Sequence, residues 1–461
     1  MARHERHGAE AGHGGELVPV APEWVACYGD LDREPDYRGI QRIERTAWGR
    51  RYSSPDGLVR ELWIPSIGSV RADRPVAEVA AAAAVVAQGA ECTKPKWPNT
   101  YRELSTQSRR PDIVRIVGFG SLNGEVEELF AGTSDTVRDD YRNHTAEIFA
   151  QAVSGAGAPV PGADCVNCRV INRCDALRRT PRLWNADDPA IHAPRRTLSV
   201  WDLRVHTECP ARYHLLRQLK LRSAYEESAA ARRGRAVDGW LNEHHRSPMP
   251  GGCRSAGLPD NPAAWSAEGH HLTGQPALDG AAMLAQHRVL CPVGRGESFG
   301  DIQVQRQVVA YDETLEVIVI ATPDLLYTDG GGWVWRETKT STSPLWDREP
   351  LLRTYPQLAM ATLLLAAGAL PGAPRRSRVE LEHLTPDRCT LETIDPSRPT
   401  VLAEARSVIE DLAGPLLADR TFTPRPGRHC DGCEVRRWCS AAPGDTKPPQ
   451  AESIAKDGDE N

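Results

Sequence analysis

The sequence predicts an α/β protein built from two related modules, each a mixed central sheet flanked by helices. Two observations point there: Val- and Ile-rich strand segments alternate with helical runs, and one order of elements occurs in both halves. In the first half, GLVRELW (57–63) precedes an Ala-rich helical run at 76–90. Strand-like VRIVGF (114–119), a helical segment near 136–153 and then Cys165, Cys168 and Cys174 follow. In the second half, GWVWRETK (332–339) precedes a helical run at 356–369, followed by RVELEHL (378–384), a helical segment near 400–418, and Cys430, Cys433 and Cys439. Both cysteine groups read C-x2-C-x5-C, and Val114 to Cys165 spans 51 residues, as does Val379 to Cys430. Agreement in order, type and spacing argues for an internal repeat rather than chance.

At 461 residues, two or three domains of roughly 100–200 residues are expected. We expect a disordered start (1–15), a first module (16–177), a Pro- and Arg-rich linker (178–196), a second module (197–442) carrying a surface insertion at 248–276, and a disordered tail (443–461). A net charge of −6 excludes a uniformly basic nucleic-acid coat but leaves room for a local basic groove. No apolar run reaches the roughly 18 residues of a membrane helix, and the polar start lacks the apolar core of a secretory signal, so a cytoplasmic location is expected. Twelve cysteines in a reducing compartment then read as metal ligands rather than as a disulfide framework.

The chemistry concentrates in TLEVIVIATPDLLYTDGGGWVWRETKT (314–340). Two apolar arms flank Asp329-Gly330, a strong hairpin signal. Folding there brings Asp324 roughly level with Arg336, beside Glu337. Residues two apart share a strand face, so Glu337 and Lys339 point the same way. Two carboxylates then suit a hard divalent cation such as Mg2+, which polarises a phosphodiester and helps deprotonate water. Lys339 orients that water or neutralises developing charge. A single charge pair on a strand is usually solvated and inert; the ordered set of Pro-Asp, hairpin and Glu-x-Lys is what makes the case.

These residues resemble the PD-(D/E)XK nuclease superfamily, in its RecB-like branch. Pro323-Asp324 and Glu337-Thr338-Lys339 match its motif, TLSVWDLRVHTECPARYHLL (197–216) its opening helix, and RTYPQLAMATLLL (353–365) the helix whose Gln, here Gln357, positions substrate. The similarity covers roughly 197–442 and is nearest to CRISPR-associated RecB-like exonucleases and AddB-type nuclease domains. It implies metal-dependent cleavage of DNA, by exonuclease or endonuclease action on single strands or free ends, with Mg2+ or Mn2+ held by Asp324 and Glu337. The branch's G-x-x-x-H ligand is replaced by Asp238 in GRAVDGWL (234–241), itself a legitimate hard-metal ligand. The Tyr that often follows the Gln by four residues is Ala361. The resemblance also implies a 4Fe–4S cluster on Cys209, Cys430, Cys433 and Cys439, with Zn2+ as the rival occupant of four thiolates. With no G-x4-G-K-[ST] ATPase motif, a separate helicase or defence-complex partner is implied, in DNA repair, recombination or defence against foreign DNA.

The first module aligns Glu61 with Glu337 but Trp63 with Lys339, and no Pro-Asp hairpin precedes it. It reads as a degenerate, non-cleaving copy. Its cysteine group, a second cluster or zinc site, needs a fourth ligand, for which Cys27 is preferred over Cys92. Arg212, Arg217 and Lys220 after the opening helix, with Arg233 and Arg235 flanking Gly234, are candidate phosphate contacts that would make DNA binding salt-dependent. Trp333 and Trp335 share the face of Glu337, where core packing is favoured over base stacking. The alternative reading is a non-catalytic DNA-binding subunit of a nuclease–helicase or defence complex, stabilised by its metal–cysteine clusters.

Overall fold

A computed structural model describes residues 17–28, 43–67, 70–71, 74–93, 102–121, 124–154, 158–185, 194–221, 228–246, 251–293, 299–343, 350–372 and 374–442. The expected disordered ends lie outside these residues. By contact the chain forms two units: Met1–Ala158 with Lys220–Ala224, and Pro159–Leu219 with Tyr225–Asn461. Among the described residues no helix is long and apolar enough to cross a membrane.

The first unit is organised by a five-stranded sheet: β1 (Val18–Val20), β2 (Arg50–Ser53), β3 (Val59–Ser66), β4 (Ile113–Gly120) and β5 (Val126–Thr133), adjacent in that order. The β3–β4 pair is parallel and the others antiparallel. A parallel pair needs a crossover, and helix α1 (Val76–Gln88) supplies it. Its VAEVAAAAAVVAQ sequence combines the strongest helix former with small side chains. It packs closely on Leu62, Ile64, Val114 and Ile116. Helix α2 (Ser134–His144) follows β5 and adds Val137 to the same core.

The second unit carries helices α3 (Val200–Glu208), α4 (Ala229–Arg246), α5 (Gln275–Leu290), α6 (Pro356–Ala366) and α7 (Pro399–Ala418). Its main sheet orders β6 (Phe299–Val304), β7 (Leu325–Asp329), β8 (Gly332–Thr340), β9 (Arg378–Leu384) and β10 (Cys389–Ile394). Again only one pair, β8–β9, is parallel, with α6 as its crossover. Strand alternation divides β8 between two cores. Trp333 and Trp335 join α6 and α7 in one cluster, while Val334 joins Val237, Trp240, Met283 and Leu284 of α4 and α5 in another. A capping box starts α3: the Ser199 amide donates to Asp202 Oδ2 (2.8 Å) and the Asp202 amide to Ser199 Oγ (3.3 Å).

Three expectations are corrected here. The stretch 178–196 is not a free linker in its described parts. Arg178–Arg179 and Arg196–Leu198 are edge strands on Val308–Asp312 and Val317–Ala321, Trp184 is buried, and the Leu183 amide donates to Asp312 (2.8 Å). Nor does the Cys165 group fall with the first unit: it packs on Val309, Tyr311 and Ile318 of the second. The described part of 248–276 is also more than surface, because Cys253 and Ala256 are buried in the α4–α5 core.

The α6 core bears on the rest of the unit. Leu364 is fully buried within it, and Leu364→Ala should cost about 2–5 kcal/mol, read as a lower midpoint in equilibrium urea unfolding.

Candidate active site

The β7–β8 turn sets the site. Asp329 pairs with Gly332, leaving Gly330 and Gly331 as the two turn residues. Their φ values of 56° and 82° are those a two-residue primed turn requires and a side chain resists. Leu325 pairs with Arg336, so Asp324 comes level with Glu337, one residue beyond the register expected from the sequence. Strand β8 is buried as far as Glu337 and emerges at Thr338–Thr340. The Thr338 amide donates to Asp324 Oδ2 (2.7 Å), which fixes that carboxylate against the strand.

Lys339 Nζ lies 3.3 Å from Glu337 Oε2 and 3.7 Å from Asp324 Oδ2. Asp238, from the middle of α4, faces the same point. Gln305 Nε2 donates to Asp324 Oδ1 (3.3 Å) and lies 3.4 Å from both Asp238 oxygens. Asn242 donates to Asp238 Oδ2 (3.2 Å), and Trp335 Nε1 to Glu337 Oε1 (3.0 Å). The cleft above this group, about 370 Å³, is lined by Gly234, Arg235, Asp238, Asp324, Thr338 and Lys339. Gly234 belongs there because a Cβ would come 3.2 Å from Thr340 Oγ1.

Burial, followed by the nearby Asp324 charge, pushes Asp238 up to about 6 and Glu337 up to about 7. Burial alone would lower the Lys339 amine, but the Asp324 and Glu337 charges outweigh it and raise the net value. Three oxygen-donor carboxylates, two of them raised by burial and a neighbouring charge, form the donor set that a hard divalent cation stabilises. The residues present therefore fit such an ion.

Asp238, Asp324, Glu337 and Lys339 thus lie together at one cleft. Gln357 sits half-buried in the first turn of α6, its Oε1 without a hydrogen-bond partner among the described residues. Among the candidate phosphate contacts, Arg235 lines the cleft. Three others hold carboxylates. Arg212 grips Glu434 through two nitrogens (3.0 Å each) and Glu208 (2.5 Å); Arg217 pairs with Asp202 (2.5 Å); and buried Arg233 with Asp279 (3.4 Å). Lys220 is exposed and groups by contact with the first unit. Trp333 and Trp335 are core residues, 7% and 1% exposed, which excludes them as a base-stacking platform.

Cys209 is buried at the α3 C-terminus and accepts from the Arg425 amide (3.5 Å), as Cys430 accepts from the Gly427 amide (3.4 Å). Cys209 also lies close enough to Cys433 to raise that thiol further, after burial and Glu434. Cys27 stands on a strand of the first unit (Glu23–Tyr28), apart in grouping from the Cys165 triad of the second. Sequence reasoning missed Gln305, Asn242 and the orienting role of Trp335. Only Trp335 left a trace, as the aromatic two residues before Glu337.

Comparison with known proteins follows the same lines. The model of the PD-(D/E)XK nuclease superfamily matches residues 197–440. The chain belongs to that superfamily. None of the curated proteins compared with the chain matches it. One similar solved structure is described as "Crystal structure of SSO0001": identity is 17%, over 54% of this chain and 87% of that one, with a TM-score of 0.27, too low to carry an argument.

The raised carboxylates give a pH dependence with a definite sign. Unfolded carboxylates titrate near 4. In the metal-free chain the protonated groups therefore favour the fold below that value, and the contribution is lost as pH rises through 6 to 7. A cation must displace the same protons as pH falls. Mn2+ affinity measured by calorimetry should be about tenfold weaker at pH 6 than at pH 8, and equal affinities would contradict the grouping.

Proposed function

We propose that the chain is a metal-dependent DNA nuclease of the RecB-like kind, acting on single strands or free ends. The observation that carries this reading is the convergence of Asp238, Asp324 and Glu337 on one lysine at the mouth of a cleft. A divalent cation bound there, Mg2+ or Mn2+, would supply Lewis-acid polarisation of a phosphodiester. The protein's own part is positional. Asp324 is pinned by the Thr338 amide, Glu337 by Trp335, and Asp238 by Asn242. Lys339, its amine kept cationic by its neighbours, orients the attacking water and offsets the charge that grows on the phosphate. Arg235 at the cleft wall and Gln357, through its amide, are the residues we assign to holding substrate. We place this activity in DNA repair, recombination or defence, with a separate helicase or defence-complex protein as partner.

We further infer that the first unit is a degenerate copy of the second. The two main sheets share strand order, directions and crossover position. The cysteine loop that follows the first unit in sequence, though it groups with the second, shares backbone conformation with the C-terminal one: Val170 and Val435 have φ, ψ of −107°, 16° and −113°, 9°, and Cys174 and Cys439 have −85°, 111° and −87°, 120°. The Gly162 amide meets Cys165 Sγ at 3.4 Å, as Gly427 meets Cys430. In the first unit Glu61 accepts from Trp63 Nε1 (2.9 Å) and pairs with buried Arg115, which supports structural rather than catalytic use. For Cys209, Cys430, Cys433 and Cys439 we retain 4Fe–4S over zinc.

The deciding experiment is Mn2+-dependent cleavage of end-labelled single-stranded DNA. Wild type should cut, and Lys339→Ala should lose at least about 100-fold in rate. Equal cutting by both sinks the assigned site, and no cutting by either favours a DNA-binding subunit. For the cluster, anaerobically prepared protein should absorb in the visible near the sulfide-to-iron band, and Cys430→Ser should lose that absorption; a colourless wild type rejects it.

A further inference from the structure

We propose a second metal centre, separate from the acidic cleft: a structural Zn2+ held by His245, Cys253, His287 and Cys291. Their ligand atoms all lie within 4.8 Å of one another, and all four residues are buried. Cys253, His287 and Cys291 are 0% exposed and His245 4%. Sequence reading does not single these residues out, because 42 positions separate His245 from His287 and only the packing of α4 against α5 joins them.

Each ligand is delivered by a local feature. His245 lies in the last turn of α4. Cys253 follows two left-handed glycines, Gly251 (φ 89°) and Gly252 (φ 59°), which fold the chain back; a Cβ at Gly252 would sit 2.1 Å from the Val293 carbonyl. His287 and Cys291 are four apart at the end of α5, where the Cys291 amide donates to the His287 carbonyl (2.8 Å), so both side chains leave the same helix face.

A second observation points to an ion rather than to ordinary packing. His287 Nδ1 donates to Glu382 Oε1 (2.8 Å). With Nδ1 given to the carboxylate, Nε2 is the ring nitrogen left to meet an ion. Among the described residues this atom is buried with no hydrogen-bond partner. A buried polar atom without a partner is rare, and a histidine that binds zinc through one ring nitrogen commonly gives the other N–H to a carboxylate, as His287 does to Glu382. His245 Nε2 and Cys291 Sγ approach to 3.5 Å, about the spacing two ligands adopt around one tetrahedral ion with bonds of ~2.0–2.3 Å. Two thiolates and two imidazoles in one closed set favour Zn2+ over the harder ions of the cleft. Closure on all sides marks the site as structural. Glu382 also accepts from Thr338 Oγ1 (3.3 Å), so this centre braces the strand that carries Glu337 and Lys339. The inference stands whether or not the cleft cuts DNA.

The test is zinc content of the full chain by mass spectrometry of the metal. Cys253→Ser and His287→Gln should each lose one zinc per chain relative to wild type, whereas Cys430→Ser should keep it. Unchanged zinc in the first two variants overturns the proposal. So does a zinc-free wild type, including one whose peptide map shows a Cys253–Cys291 disulfide. Because a misfolded variant would also lose zinc, the wild type itself is read by zinc K-edge X-ray absorption. Imidazole back-scattering at ~2.0 Å with sulfur at ~2.3 Å is expected, and a fit by sulfur alone overturns it.

Discussion

The arrangement turns on an electrostatic conflict at the open end of β8. Three carboxylates, Asp238, Asp324 and Glu337, share one small volume with a single lysine amine. Without that amine and a cation, their mutual repulsion and loss of water oppose folding. Their proximity is imposed from outside the site. The hairpin register places Asp324 beside Glu337, and the α4 core places Asp238 over both. Neither can relax without unzipping a buried strand. A site of this kind is prepared to bind a cation because the protein has already met the cost of collecting the ligands.

Strand β8 links that site to both cores because its faces do different work. On one face Trp335 packs under α6 and α7 and turns its indole N–H toward Glu337. On the other, Arg336 donates to Glu380 Oε2 (2.6 and 2.8 Å), Tyr327 joins the same oxygen (2.9 Å), and Arg378 bridges Glu380 to Asp329 (2.7 and 2.8 Å). Such a network does little for stability if its members can be replaced by apolar groups together, but it is costly to break singly. Its effect here is geometric: it locks β7, β8 and β9 in one register, and a slip of one residue would turn Glu337 away from the cleft.

Much of the site was legible because it is local. Pro323-Asp324, the glycine turn and Glu337-x-Lys339 lie within one hairpin, and strand alternation alone says which residues share a face. The one-residue error in register arose at the turn, where the glycines at 330 and 331, rather than Asp329 and Gly330, occupy the positive-φ positions. What was illegible is non-local. Arg212, Arg217 and Arg233 read as phosphate contacts because Glu434, Asp202 and Asp279, which hold them, cannot be placed beside them from sequence. Gln305 gives no sign of bridging Asp238 and Asp324, since it reaches them through a β-strand end 67 positions from one and 19 from the other. The Cys165 spacing was plain, but its packing depends on a strand pair near residue 310.

The two main sheets also differ in what their central glutamates meet. In both, a glutamate on the central strand faces a position on the parallel neighbour. Opposite Glu337 stands Leu381, and opposite Glu61 stands Arg115. Leucine leaves the carboxylate to look for charge elsewhere, toward Lys339 and the other acids. Arginine satisfies it at once inside the sheet, with both side chains 1% exposed, and Trp63 occupies the place that Lys339 holds in the second sheet, its indole turned back to the same carboxylate. A guanidinium that is always charged offsets the Glu61 charge within the sheet. On the proposed duplication, the catalytic copy is the one in which the charge on the glutamate was left unpaired by its neighbouring strand.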